Sequence, residues 1–334
     1  MTMQKRRRPS TAGKGAERST GSAGARRAFR AGTALADQVL ARRQSALAAS
    51  ARRPRRGLLI AEGDSWFDYP FYDVLGLLEA DGYEVESVAH RGDTLEDMAH
   101  DAGQVERLTR AFERVKQRGQ KPRAILLSGG GNDIAGDEFA MLINHANSGL
   151  PVLNATVADG VIRERLRTAM ASLVGVVTRL SESHFGEKAR VVLHGYDYPV
   201  PDGRGWLGGA WILPGPWLEP GFRRKGHAAE KAQDRNGVLE ANTRVVRDLI
   251  DRYNLMLSGL VRDLASAGTS HVRYVDLRGT LSAALPSGYK ADWGNELHPT
   301  KPGFAKVTAR IAAALQEDGD PQARRRSRPS RVRG

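Results

Sequence analysis

Short, unbroken apolar runs alternate along this chain with longer stretches whose apolar residues recur at helical spacing. The run GLLIA at 57–61 has no charged or amide position, the pattern of a strand buried on both faces. FYDVLGLLEADG, 71–82, predicts a helix that stops at a glycine. YEVESVAH, 83–90, predicts a second strand. Residues 93–119 predict one long helix opened by a capping-box-like Thr94-x-x-Asp97. RAILLSGGGND, 123–133, predicts a third strand running into a glycine-rich turn. Helix 160–183, strand 189–199, helix 237–266, strand 270–279 and helix 300–316 complete the series. Strands that alternate with helices predict parallel βαβ units with right-handed crossovers. The expected fold is α/β, a three-layer αβα sandwich with a central parallel sheet of about five strands. Binding sites in such sheets lie beyond the strands' carboxyl ends, near a switch in strand order.

Composition changes this picture mainly at the ends. Residues 1–56 carry 15 Lys/Arg against 2 Asp/Glu, and residues 323–334 carry 6 Arg and no acid. The net charge of +13 therefore belongs to the tails, and the central part is mildly acidic. Three segments follow: a basic, Arg-rich, disordered arm over 1–56, a catalytic domain over 57–316, and a basic disordered tail over 317–334. Within the arm, Leu35, Val39, Leu40 and Leu47 predict one weakly amphipathic helix, and its Ser- and Arg-rich composition also fits a transit peptide. Basic tails attract anionic polymers or surfaces non-specifically. The chain has no cysteine, which excludes disulfides and thiolate metal sites. No stretch approaches the length of an apolar membrane span, and no secretory signal is visible, so a cytoplasmic location is expected.

The chemically capable residues fall where the predicted strands end. Ser65 follows the first, Gly92 the second, and Gly129-Gly130-Gly131-Asn132-Asp133 the third. His194, Tyr196 and Asp197 end the fourth, and DWGNELHPT, 292–300, follows the fifth. Packing alone does not explain such clustering, because buried polar loops are costly. A serine hydroxyl needs a base to take its proton, and His298 is the best placed histidine. Acyl transfer also needs donors for the developing oxyanion. The Ser65 N–H, the Gly92 N–H and the Asn132 side-chain amide supply them.

The ordered set Gly63-Asp64-Ser65, Gly92, Gly131-Asn132-Asp133 and His298-Pro299 resembles the SGNH (GDSL-type) hydrolase superfamily over roughly residues 57–316. The resemblance implies a flavodoxin-like αβα fold and ester hydrolysis through an acyl-enzyme. It implies Ser65 as nucleophile, Gly92 and Asn132 in the oxyanion hole with the Ser65 N–H, and His298 as general base. No G-x-S-x-G occurs, so the α/β-hydrolase elbow is not the right comparison. One position departs from the family pattern: the Asp expected three residues before the histidine is Asn295. Three arrangements are open. Asn295 orients the ring; Asp292 or Glu296 supplies a carboxylate; or a backbone carbonyl holds the second ring nitrogen of a Ser–His dyad.

On the substrate side, Trp66, Trp206, Trp211, Trp217 and Trp293 all lie near the strand-end motifs, with Tyr196 and Tyr198 close by. The Trp/Gly/Pro-rich insertion at 202–226 is too long for an ordinary connection and predicts a lid or binding loop. Aromatic walls suit acyl chains and sugar faces, so a small-molecule, carbohydrate or lipid ester is the expected substrate. The competing possibility is that these rings only form a hydrophobic cap over the sheet. Asp64 and Asp133 read as structural acceptors for nearby backbone amides, and Asp197 as a loop acceptor. No cofactor and no metal are expected. A metal-dependent phosphoesterase would have to use Asp64, Asp93, Asn132, His194 and His298, yet the chain holds no D-x-H or H-x-H pair. A non-catalytic binding protein using the basic tails is the other alternative.

Overall fold

The structure is a computed structural model, and it describes residues 55–206 and 215–316 together with residues 30, 33–34, 36–37 and 40–41. Two units separate, Met1–Pro54 and Arg55–Gly334. In the first, the described residues are helical, with the Thr33 hydroxyl donating to the Arg30 carbonyl at 2.9 Å. Of the four apolar positions expected on a helix there, only Leu40 falls among them, and it is exposed. The other three, most of the basic arm, Trp211 and the basic tail lie outside the described residues.

The second unit is built on a five-stranded sheet. Its strands are β1 (Gly57–Gly63), β2 (Tyr83–Ser87), β3 (Pro122–Ser128), β4 (Arg190–His194) and β5 (Val272–Val275). The order is β2-β1-β3-β4-β5 and every pair is parallel. Leu58–Ala61 of β1, Ala124–Leu127 of β3 and Val191–Leu193 of β4 are all buried, which is why these runs carry no alternation. The helices are α1 (Val74–Ala80), α2 (Leu95–His100), α3 (Ala102–Gln117), α4 (Ala155–Asp159), α5 (Arg167–Phe185), α6 (Glu219–Arg224), α7 (Arg235–Ser266) and α8 (Lys301–Gln316). α1 packs with α8, while α2 and α3 pack with α5, and α5 with α7. Helices thus cover both faces, giving a three-layer α/β sandwich. The chain winds from β1 to β2 and then crosses back to β3, so the switch in strand order lies between β1 and β3. The Ser65 turn and the Gly129–Asp133 turn leave the carboxyl ends of those two strands. No described helix is long and apolar enough to cross a membrane.

Three boundaries differ from the sequence expectation. The single helix expected over 93–119 is two. Asp101 is extended, with φ −73° and ψ 121°, and its carboxylate accepts from the Gln104 N–H at 2.8 Å, so it ends α2 and caps α3. The helix expected to begin at Gly160 begins earlier, with α4 and a π-helical stretch Gly160–Leu166 leading into α5. The second, fourth and fifth strands stop short of the expected ranges, at Ser87, His194 and Val275.

One buried carboxyl on β1 sets a pH dependence. Glu62 is 2% exposed and accepts from the Gly63 N–H at 2.9 Å. Burial, reinforced by the charge of Asp93, pushes it up to about 8. A carboxyl raised in the folded state contributes stability that is present below its ordinary range and lost as pH rises through about 8. Glu62→Gln keeps an acceptor for Gly63 and removes the titration. The melting temperature of the wild type is expected to fall between pH 5.5 and 9 by several degrees more than that of the variant. Equal slopes in a thermal-shift series would contradict this.

Candidate active site

The turn after β1 is held from below. Asp64 is buried, and its carboxylate accepts from the Trp66 N–H at 3.0 Å, from the Ser128 hydroxyl at 3.0 Å and from the Tyr196 hydroxyl. Tyr196 in turn accepts from the Gly131 N–H at 3.2 Å, tying the β1 turn to the β3 turn. Asp133 accepts from the Leu95 N–H at 2.8 Å and so receives the start of α2; burial pushes it up to about 6. Both aspartates serve backbone amides, as expected from the sequence. Gly130 has φ +96°, and a Cβ there would collide with the Tyr253 ring, whose hydroxyl donates to the Gly129 carbonyl.

Above this floor, the Ser65 hydroxyl meets His298 Nε2 at 2.7 Å. His298 Nδ1 lies 3.0 Å from Asn295 Oδ1. The same oxygen accepts from the backbone N–H of Leu297 at 3.0 Å and of His298 at 2.8 Å. Two N–H groups aimed at one amide atom identify it as the oxygen, so His298 carries its proton on Nδ1. Nε2 is left as a lone pair facing the Ser65 hydroxyl. The Asn295 amide nitrogen donates to the Tyr69 hydroxyl at 3.1 Å. Tyr69 stacks on the His298 ring at 4.4 Å between centroids, and Trp217 meets it edge-on at 5.4 Å. Burial among these rings, with no carboxylate on Nδ1, pushes His298 down to about 3. The imidazole is therefore neutral across the working range and able to accept a proton.

Of the three arrangements left open for His298, the structure places Asn295 on the ring. Asp292 is elsewhere: it accepts from Lys306 at 2.7 Å and from the Ser282 N–H at 2.8 Å. Glu296 is fully buried and faces the opposite way, toward the Trp-bearing insertion. One of its oxygens accepts from the Trp217 and Leu218 N–H groups at 2.7 Å each, and the other from Gly203 at 2.9 Å and Glu219 at 3.1 Å. It ties Gly203, at the start of that segment, to residues 217–219. In Glu296→Gln the new amide would set a donor against two of these donors. A loss of about 2–4 kcal/mol in stability is expected, with a raised KM because Trp217 loses its anchor. Urea unfolding and steady-state kinetics check both; an unchanged midpoint with unchanged KM would contradict it.

Gly92 sits on a short loop tied at both sides. The Arg91 N–H donates to Asp68 at 3.1 Å, and the Asn132 amide donates to the Asp93 carbonyl at 2.8 Å. Gly92 has φ +89° with open space where a Cβ would stand. Among the described residues, neither the Ser65 N–H nor the Gly92 N–H has an acceptor. The Asn132 amide uses one hydrogen on Asp93 and has a second to offer. These are the donor types an oxyanion needs.

Two cavities adjoin Ser65. The outer cleft, about 460 Å³, is lined by Ser65, Asn132 and His298, with Tyr69, Trp206 and Trp217 among its walls. The inner one, about 50 Å³, has Ser65, Asn132 and Tyr196 on its lining, with Trp66 and Trp293. The tryptophans therefore divide. Trp206 and Trp217 wall the cleft. Trp66 and Trp293 are 3% and 1% exposed, and they pack on one another at 6.4 Å. The Trp66 indole donates to the Leu297 carbonyl at 3.1 Å, which fixes the loop before His298. Asp197 accepts from the Gly279 and Leu281 N–H groups at 2.9 and 2.6 Å, bracing the loop after β5. Tyr198 donates to Asp251 at 2.7 Å.

Asp64 and Asn132 are engaged as described, and His194 is buried with Nδ1 donating to the Gly195 carbonyl at 2.7 Å. Among the described residues no group of three or more histidines and carboxylates is placed to hold a metal ion. Sequence reasoning missed Tyr69, although it lies only four positions after Ser65.

No protein-family model matches the sequence. No curated protein matches it. Solved structures similar to this chain include an acetylxylan esterase from Geobacillus stearothermophilus, a catalytic mutant. It is 15% identical, with a TM-score of 0.41, covering 78% of this chain and 94% of that one. A psychrotrophic esterase from Pseudoalteromonas sp., inhibited by monoethylphosphonate, is 12% identical with a TM-score of 0.36, covering 78% and 97%. A protein from Lactobacillus plantarum is 14% identical with a TM-score of 0.44, covering 80% and 99%.

Proposed function

We propose that this chain is a serine esterase or deacylase that hydrolyses carboxylic esters through an acyl-enzyme on Ser65. The observation that carries the reading is the Ser65–His298–Asn295 relay, with contacts of 2.7 and 3.0 Å and its tautomer fixed by two backbone donors. His298 Nε2 takes the Ser65 proton as Oγ bonds to the ester carbon. The carbonyl oxygen becomes an oxyanion facing the Ser65 N–H, the Gly92 N–H and the Asn132 amide. His298 then gives its proton to the departing alkoxide. A water, deprotonated by the same nitrogen, releases the acid and restores Ser65. Asn295 holds the ring without a negative charge, so the imidazolium formed in the transition state is stabilised less than in a Ser–His–Asp set.

The ordered strand-end motifs that resemble SGNH hydrolases support the same reading. Cytoplasmic location, and contact of the basic segments with anionic polymers, belong to the proposal as secondary parts. The test is labelling of the full chain with a serine-directed phosphonate, followed by peptide mapping. Label on Ser65, lost in Ser65→Ala, is expected. A folded chain that neither takes the label nor hydrolyses a panel of esters would overturn the reading.

A further inference from the structure

The two cavities at Ser65 differ in size, in lining and in their relation to His298. His298 lines the outer cleft and not the inner chamber, whereas Ser65 and Asn132 line both. In acyl transfer the base that deprotonates the serine returns that proton to the leaving oxygen, so the leaving group must lie on the base's side of the ester carbon. The alcohol part then occupies the outer cleft of about 460 Å³ between Tyr69, Trp206 and Trp217. The acyl chain is directed the other way, past Asn132, into the inner chamber of about 50 Å³.

That chamber is small and apolar. Its far walls are Ile134, Leu218, Val246, Leu249 and Ile250, all buried. Asp64 and Asp197 also border it, but the Asp64 carboxylate is taken up by Trp66, Ser128 and Tyr196, and that of Asp197 by the Tyr198, Gly279 and Leu281 N–H groups, so neither is free to receive a polar chain. At about 50 Å³ against about 460 Å³ for the outer cleft, the chamber takes the smaller part of the ester. The walls come from α7, the β3 turn and the segment pinned by Glu296, and they meet in a packed core that does not yield cheaply.

We propose that the inner chamber is the acyl pocket and that it limits the acyl-enzyme to short, uncharged acyl groups, with the bulk of the substrate on the alcohol side. This rests on the Ser65 reading above. In the reaction the Ser65 Oγ–carbon bond forms and the carbon–alkoxide bond breaks, with the alkoxide leaving as the alcohol on the His298 proton. Water then replaces Oγ, and a short carboxylic acid is released. Substrates of this class are short-chain esters of a large, flat-faced alcohol, such as an aryl or sugar hydroxyl.

The experiment compares p-nitrophenyl acetate, butyrate and octanoate on the full chain. Acetate and butyrate are expected to exceed octanoate by about 100-fold in kcat/KM. Leu249→Ala, which opens the far wall, is expected to shift the acetate-to-octanoate ratio about tenfold toward octanoate. Phosphonate labelling of Ser65 in the same preparations separates the two levels. Octanoate turned over as fast as acetate by a chain that labels at Ser65 would overturn the acyl-pocket assignment and leave the esterase reading standing. A folded chain that neither labels nor turns over any of the three would overturn both.

Discussion

Ser65→Ala is expected to lower ester hydrolysis by about 10⁴ to 10⁶ in kcat while leaving the melting temperature unchanged. The size follows from what the hydroxyl does. In the proposed mechanism it is the atom that bonds to the substrate. The small structural effect follows from its contacts, since the hydroxyl's hydrogen bond in the protein is to His298 Nε2 at 2.7 Å. Asp64 and Tyr196, which hold the turn, are untouched by the change. Residual activity above the level of solution hydrolysis would come from the oxyanion donors alone. A variant that keeps more than about a tenth of the wild-type rate would mean that another residue is the nucleophile.

Asn295 is where the second large effect is expected. Asn295→Ala removes the acceptor of three hydrogen bonds, from Leu297, from the His298 backbone and from the His298 ring. The imidazole is then free to hold its proton on Nε2, the wrong nitrogen for a base, and a loss of about 10² to 10⁴ in kcat is expected. Asn295→Asp acts differently. It keeps the acceptor and places a negative charge on Nδ1, which favours the imidazolium. His298, held down at about 3 by burial in the wild type, should move upward. Only the neutral ring acts as a base, so the acid limb of kcat/KM should shift to higher pH, by about 1–3 units. The wild type should keep its rate well below pH 6. Identical pH profiles for the wild type and Asn295→Asp would show that residue 295 does not set the charge state of the base.

The motifs that make up the candidate site were legible because each stands at a strand end and is short-range. Ser65, Gly92, Asn132 and His298 could be read as a set once the βαβ alternation was recognised. What surrounds them was less legible, for identifiable reasons. Glu296 is two residues from His298, and nearness in sequence does not say which way a side chain points. It faces Trp217 and Leu218 instead. Tyr69 reads as one more aromatic in WFDYP, because its role depends on a ring 229 positions away in the chain. Trp66 and Trp293 look like pocket aromatics by position, but they are nearly fully buried and serve the core as much as the chamber. The break at Asp101 was readable: Asp101-Ala-Gly-Gln104 is itself a helix start, hidden by apolar spacing that runs on either side of it.

In the proposed mechanism Ser65 carries the acyl group during turnover. Its most direct test is rapid mixing of the full chain with p-nitrophenyl acetate, acid quench within the first turnover, and peptide mapping by mass spectrometry. One acetyl group is expected on the peptide containing Ser65, appearing with the burst of p-nitrophenol and absent in Ser65→Ala. Continued turnover with Ser65 unmodified, or an acetyl group trapped on a different residue, would contradict it.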